Sequence, residues 1–138
     1  MKMEIYRLLA IDFGEKRIGL AVSDPLRTIG RPYEVLANAE GFWEKLSAII
    51  QKEQVGKVIL GLPLNFEGED TNKTREIRSF GEELTAHIEI PWEFMDESFT
   101  SVDANAALKS MGYSVRESRK VIDKVAAALI LRNYLEQQ

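Results

Sequence analysis

The sequence predicts an α/β fold organised around one mixed five-stranded sheet. Three observations carry this. Roughly the first forty residues read as three strands in series, short apolar runs divided by turn residues. From Asn38 the apolar spacing lengthens to that of a helix. Beyond it, extended and helical segments alternate, the pattern of a sheet covered by helices on both faces.

The elements follow in order. "YRLLAIDF" and "RIGLAVSD" are the first two strands, joined through "GEK", a short glycine-containing hairpin signal. "TIGRPYEVL" comes after the Asp24–Pro25 turn as a third, antiparallel strand. Pro32 cannot donate to a ladder, so it marks an edge strand or a bulge. Asn38 is the expected N-cap of "AEGFWEKLSAIIQKEQ", which sets Phe42, Leu46, Ile49 and Ile50 on one helical face. "KVILGLPLN" shows little alternation, as a strand buried on both faces does. "TNKTREIRSFGEELTAHI" aligns Ile77, Phe80, Leu84 and Ile88 at helical spacing, and "IPWEFMDE" is a short fifth strand with Pro91 at its start. "TSVDANAALKSMG" opens with a capping-box-like Thr100…Asp103 spacing and closes near Gly112, "YSVRESRK" reads as a polar connection, and "VIDKVAAALILRNYLEQQ" is a final helix. A three-strand antiparallel meander followed by parallel strands in this order matches the ribonuclease H-like architecture, among other α/β folds.

Composition narrows the chemistry. With 138 residues, 45% of them hydrophobic, one domain spanning 1–138 can bury its own core. The absence of cysteine excludes thiolate metal sites and cysteine nucleophiles. A single histidine, His87, lies in a helical pattern and reads as a solvated or packed side chain. The opening "MKMEIYRLLAIDFG" carries Glu4 and Arg7 with no sustained apolar core. The apolar run Val125 to Leu131 is far short of the ~20 residues that span a bilayer, so a cytoplasmic protein is expected. A net charge of −4 means that any polyanion site must be local.

If the first, fourth and fifth strands run parallel, their carboxyl ends open on one edge of the sheet, where open α/β sheets place ligands. Asp12 ends the first strand, Asn65 follows the fourth, Asp96 and Glu97 end the fifth, and Asp123 on the last helix can pack across to the same edge. Such a cluster is costly: two carboxylates ~5 Å apart repel by about 3 kcal/mol at an effective dielectric near 20. Protons or cations must relieve it, and oxygen-only donors favour the hard ions Mg²⁺ or Mn²⁺. Two such ions can stabilise both the attacking and the leaving oxygen of an in-line phosphoryl displacement. Each acid alone has an ordinary explanation: Asp12 as a turn residue before Gly14, Asp96-Glu97 as helix-entry acids, Asp123 as a partner of a helix macrodipole.

At these residues the chain resembles the YqgF family, whose members are named as Holliday junction resolvases and as pre-16S rRNA nucleases. The resemblance runs nearly end to end and rests on "AIDFGEKRIGLAVSD", "GLPLNFEG", "DESFTSVDA" and "KVIDKVAAALIL". It implies a ribonuclease H-like fold with Asp12, Glu97 and Asp123 as catalytic metal ligands, Asp12 serving both ions and the others one each. Asp96 falls on the opposite side of the strand from Glu97 and is an auxiliary neighbour. Family members commonly carry an arginine directly after the Asp-Glu pair, where this chain has Ser98 and Phe99, so a bidentate phosphate contact is missing there.

Lys16 and Arg17 in the hairpin, Asn65, and the basic group Arg116, Arg119, Lys120 and Lys124 are the candidate nucleic-acid contacts. Phe42, Trp43 and Trp92 read as core rather than as base-stacking platforms. The expected function is metal-dependent endonucleolytic hydrolysis in structured nucleic acid, at the 5′ end of pre-16S rRNA or at a Holliday junction, with a homodimer suited to the latter. Two rivals stay open from sequence alone. One is a non-catalytic RNA-binding ribosome-assembly factor, separable by binding without cleavage. The other is an actin-like nucleotide-binding ATPase, separable by a rise in melting temperature with ATP.

Overall fold

The computed structural model describes residues 5–63, 71–97, 112 and 115–138, with side chains at all of these except 97 and 115–122. The chain forms β1 (Arg7–Asp12), β2 (Arg17–Ser23), β3 (Gly30–Ala37), α1 (Phe42–Lys52), β4 (Val55–Pro63), α2 (Asn72–His87), β5 (Trp92–Glu97) and α3 (Val115–Glu136). The five strands make one sheet in the order β3-β2-β1-β4-β5. β1 pairs antiparallel with β2 and β2 with β3, whereas β1/β4 and β4/β5 are parallel. This is the mixed sheet that the sequence predicts, with β1 at its centre.

β1 lacks alternation because both of its faces are covered. Leu9 and Ile11 enter one core with Ile18, Leu20, Val58 and Leu60, roofed by Phe42, Leu46 and Ile49 of α1 and Ile77, Phe80 and Leu84 of α2. Leu8 and Ala10 enter the other with Ala21, Ile59 and Met95, roofed by Ala127, Ile130, Leu131 and Tyr134 of α3. Pro32 sits in edge strand β3, where the register with β2 slips between Leu20 and Ala21, so both readings of that proline hold. Trp43 stacks on Phe80 and on His87, whose ring centroid lies 4.2 Å away, and the Trp92 indole donates to Thr85 Oγ1. The aromatics and the histidine therefore belong to the scaffold.

Three expectations need correction. Asn38 is not a helix cap: α1 starts at Phe42 behind Gly41, whose φ of 91° suits glycine. Asn38 instead donates from Nδ2 to the Gly14 carbonyl and from its backbone N–H to the Lys16 carbonyl, fastening the β1–β2 hairpin. The segment read as a polar connection is partly helical, since α3 begins at Val115. Asp123 therefore lies more than two turns inside α3, too deep for a macrodipole role. The helix expected from "TSVDANAALKSMG" lies outside the described residues. The sequence reading also passed over the cap of α2, where Thr71 and Thr74 form a reciprocal capping box.

One close approach sets the position of α3. A Cβ on Gly19 of β2 would collide with the backbone carbonyl of Asp123 and lie 2.8 Å from the Lys124 nitrogen. Only a residue without a side chain lets the helix backbone rest on the strand there. Gly19→Ala is expected to lower stability by about 1–3 kcal/mol, read as a fall in the urea midpoint. An unchanged midpoint would mean that helix and strand are not in contact at this point.

Candidate active site

The site is built outward from the end of β1. Asp12 is paired across the β1/β2 ladder with Gly19, and Gly19 lies against the backbone of Asp123. Two acids remote in sequence are thus brought to one place by a single glycine contact. The parity of the strands agrees: Ala10 and Ala21 face the α3 layer, and so do positions 12 and 19. On β5, Met95 faces the same layer. Register sets Glu97 opposite Pro63, two positions beyond Met95, and Asp96 opposite Leu62. Asp96 is exposed and has the parity of the α1/α2 layer.

Above the acids lies a cleft of about 490 Å³, lined by Phe13, Gly14, Glu15, Lys16, Arg17, Asn72, Lys73, Glu76 and Asp123. The hairpin supplies one wall and the first turn of α2 the other. Arg17 donates from Nε to Asp123 Oδ2 at 3.0 Å. Lys16 lines the cleft. Lys73 and Asn72 were not singled out in the sequence. The available signal was that β4 must deliver the chain to the start of α2 above the same sheet edge.

Asp12 keeps a little solvent contact, but dense packing surrounds its carboxyl group. Burial raises its pKa to about 7; the Lys73 charge pulls it down in part, and the Asp123 charge pushes it up. Among the described residues no hydrogen bond or ion pair within 4 Å reaches that carboxylate. A desolvated oxygen donor with no partner among the described residues, beside a second carboxylate and with Asn72 and Glu76 in the wall, fits the chemistry of a hard divalent cation. Three metal-ligating side chains do not converge among the described residues, the Glu97 side chain being outside them.

Of the other expected nucleic-acid contacts, Arg116, Arg119 and Lys120 lie on the first turns of α3, with side chains outside the described residues. Lys124 adjoins Asp123 and is half-buried. Asn65 and Ser98 lie outside the described residues.

Residues 6–137 match the family described as RuvX: Holliday junction resolvase. The chain belongs to this family. Among its relatives, a protein of Maridesulfovibrio salexigens is 39% identical over 131 residues, covering 94% of this chain and 97% of its own length. A protein of Dictyoglomus thermophilum is 38% identical over 133 residues, covering 94% and 95%. Both carry the provisional name pre-16S rRNA nuclease. Two solved structures share the architecture. RuvC of T. thermophilus, in complex with a Holliday junction substrate, has a TM-score of 0.53 at 16% identity, with 96% of each chain covered. The Fowlpox virus Holliday junction resolvase has a TM-score of 0.56 at 11% identity, with 95% of this chain and 98% of that one covered. At such identities the likeness speaks for the fold, which is the ribonuclease H-like one. Membership in the RuvX family places the chain among nucleases, which are hydrolases.

The pKa of Asp12 gives a test with a definite sign. Its folded-state pKa, about 7, is above the ordinary aspartate value of 3.8, so between them the folded protein holds a proton that the unfolded chain has released. The associated stability is complete below the lower value and is lost as pH rises through about 7. In EDTA, Asp12→Asn should therefore melt higher than wild type at pH 8 and close to it at pH 4. Adding Mg²⁺ at pH 8 should raise the wild-type melting temperature and leave the variant unmoved. Parallel curves for the two proteins at every pH would show that Asp12 is not a strained carboxylate.

Proposed function

We propose that this RuvX-family chain is a divalent-metal-dependent endonuclease acting on structured nucleic acid, with precursor 16S rRNA as its leading substrate. The observation that carries the reading is the meeting of Asp12 and Asp123 beside a cleft walled by Lys16, Arg17 and Lys73. The relatives at 38–39% identity favour the rRNA precursor. The family description favours branched DNA as the second candidate. The catalytic acids are Asp12, Glu97 and Asp123, with Asp96 as a flanking group. The nucleic-acid contacts are Lys16, Arg17, Asn65, Arg116, Arg119, Lys120 and Lys124, to which Lys73 is added.

The geometry of the described residues supports a division of labour. Asp12 and Asp123, with Glu97 from β5, would hold Mg²⁺ or Mn²⁺, which supplies the positive charge that activates water and stabilises the pentavalent phosphorus. Asp12 sits in the low-dielectric end of the sheet, where a carboxylate is poorly hydrated and so binds a cation strongly. Lys16 and Lys73, from opposite walls, attract the phosphate backbone and draw it over the acids. Contacts of that kind position the strand without reading its bases. A single site suffices to process one RNA end, whereas a junction needs two sites on a two-fold homodimer. The whole chain acts as one nuclease domain, in the cytoplasm. Among the described residues no helix is long and apolar enough to cross a membrane.

The deciding assay is metal-dependent cleavage, run side by side on precursor 16S rRNA and on a four-way DNA junction. Asp12→Asn and Asp123→Asn should each lower the cleavage rate by at least about 100-fold, since a metal's charge stabilisation is worth several kcal/mol. Retained binding with no cleavage by the wild-type protein in either metal would favour the assembly-factor reading instead. Lys16→Ala and Lys73→Ala should each weaken binding and reduce the salt slope by about one. Slopes equal to wild type would place the strand elsewhere.

A further inference from the structure

Arg17 has an unusual position for a phosphate-binding group. It projects from the start of β2, two residues before Gly19, and its side chain is 61% exposed. Its Nε nevertheless donates to Asp123 Oδ2 at 3.0 Å, whereas the Asp123 side chain is only 24% exposed. Among the described residues, no acceptor engages its two terminal nitrogens. The Asp123 backbone is fixed by its seat on Gly19, whereas the long and mostly exposed Arg17 side chain has room to swing away.

From this geometry we infer that Arg17 is an exchangeable counter-cation. It holds Asp123 while the cleft is empty and passes to a phosphate when nucleic acid docks, which frees Asp123 for the divalent ion. The inference rests on the proposed function, because it takes Asp123 as a metal ligand. Its physical basis is competition for one carboxylate. A guanidinium bonded to Asp123 both occupies an oxygen and repels a second cation, so the metal binds against it. A phosphate offers the same guanidinium two acceptor oxygens in the fork geometry it prefers. Transfer of Arg17 to phosphate therefore strengthens metal binding, and by linkage bound metal strengthens phosphate binding by the same factor. The consequence is a site that loads its metal fully only with nucleic acid in place. Lys16 and Lys73 form no ion pair with an acid among the described residues, so neither occupies a carboxylate oxygen, although the Lys73 charge acts on Asp12 from a distance.

The test reads binding and needs no turnover. Mn²⁺ affinity of the free protein is measured by calorimetry for wild type, Arg17→Gln and Arg17→Lys. Affinity for a four-way DNA junction and for a precursor rRNA fragment is measured in EDTA and in Ca²⁺. Arg17→Gln should bind Mn²⁺ about 5–10-fold more tightly than wild type, in the usual range of coupling between sites. Wild type should gain about 5-fold or more in nucleic-acid affinity on adding Ca²⁺, and Arg17→Gln should lose most of that gain. Arg17→Lys, which keeps the charge but not the fork, should stay near wild type for Mn²⁺ and bind nucleic acid more weakly. Melting curves of the three proteins should agree, because the side chain is mostly in solvent. Unchanged or weaker Mn²⁺ binding by Arg17→Gln would overturn the exchange and leave Arg17 as a fixed support for Asp123. If Asp123→Asn binds Mn²⁺ as wild type does, the metal assignment fails and the exchange fails with it. If Asp123→Asn loses Mn²⁺ while Arg17→Gln matches wild type, only the exchange fails.

Discussion

The contact of α3 with β2 at Gly19 is the constraint on which the site depends. It is a steric fact: the helix backbone at Asp123 occupies the volume that any side chain at position 19 would need. Because Gly19 is the ladder partner of Asp12, the same contact sets the separation of the two acids. The apolar stripe of α3, from Ala127 to Tyr134, holds the helix on the sheet but would tolerate small shifts along it. The glycine seat removes that freedom at the one turn where it matters. Fold stability and site geometry therefore share a single interaction.

The two ends of the sheet are treated differently. At the end remote from the cleft, polar groups are satisfied. Lys57 donates to Tyr134 Oη at 3.0 Å and pairs with Glu93 at 3.2 Å. Ser23 Oγ accepts from the Leu8 N–H at 2.8 Å. Asp24 accepts from the Ile29, Thr28 and Leu26 N–H groups and from the Thr28 hydroxyl, which hold its carboxyl well below the usual carboxylate range. At the cleft end, Asp12 is desolvated with no such partner among the described residues, and its pKa moves the opposite way. Asp24 is satisfied by its own turn, whereas Asp12 is left to burial, the ordinary mark of a candidate functional carboxylate.

Charge in the cleft is arranged in the same spirit. The chain carries a net charge of −4, yet the cleft combines Lys16, Arg17 and Lys73 with Glu15, Glu76 and Asp123. Mixed sign lets one small volume hold both a cation and a polyanion, each screening the other's repulsion. A purely basic cleft would bind nucleic acid and exclude metal; a purely acidic one would do the reverse.

The sequence by itself determined the succession of strands and helices along the chain, the two-faced burial of β4, the edge position of Pro32 and the acids at strand ends. Each is written in local spacing, because the pleat and the helical turn impose short periods on whatever must be buried. The family resemblance added the three acidic positions. Local signals failed where a side chain was claimed by a distant partner. Asn38 looks like a cap and instead holds a hairpin, and Arg17 looks free and is bonded to a residue 106 positions away. Lys73 resembles any lysine of an amphipathic helix until the first turn of α2 is set over the cleft. Only the tertiary structure decided these, since packing at Gly19 and the sheet order fix distances that no stretch of neighbouring residues encodes.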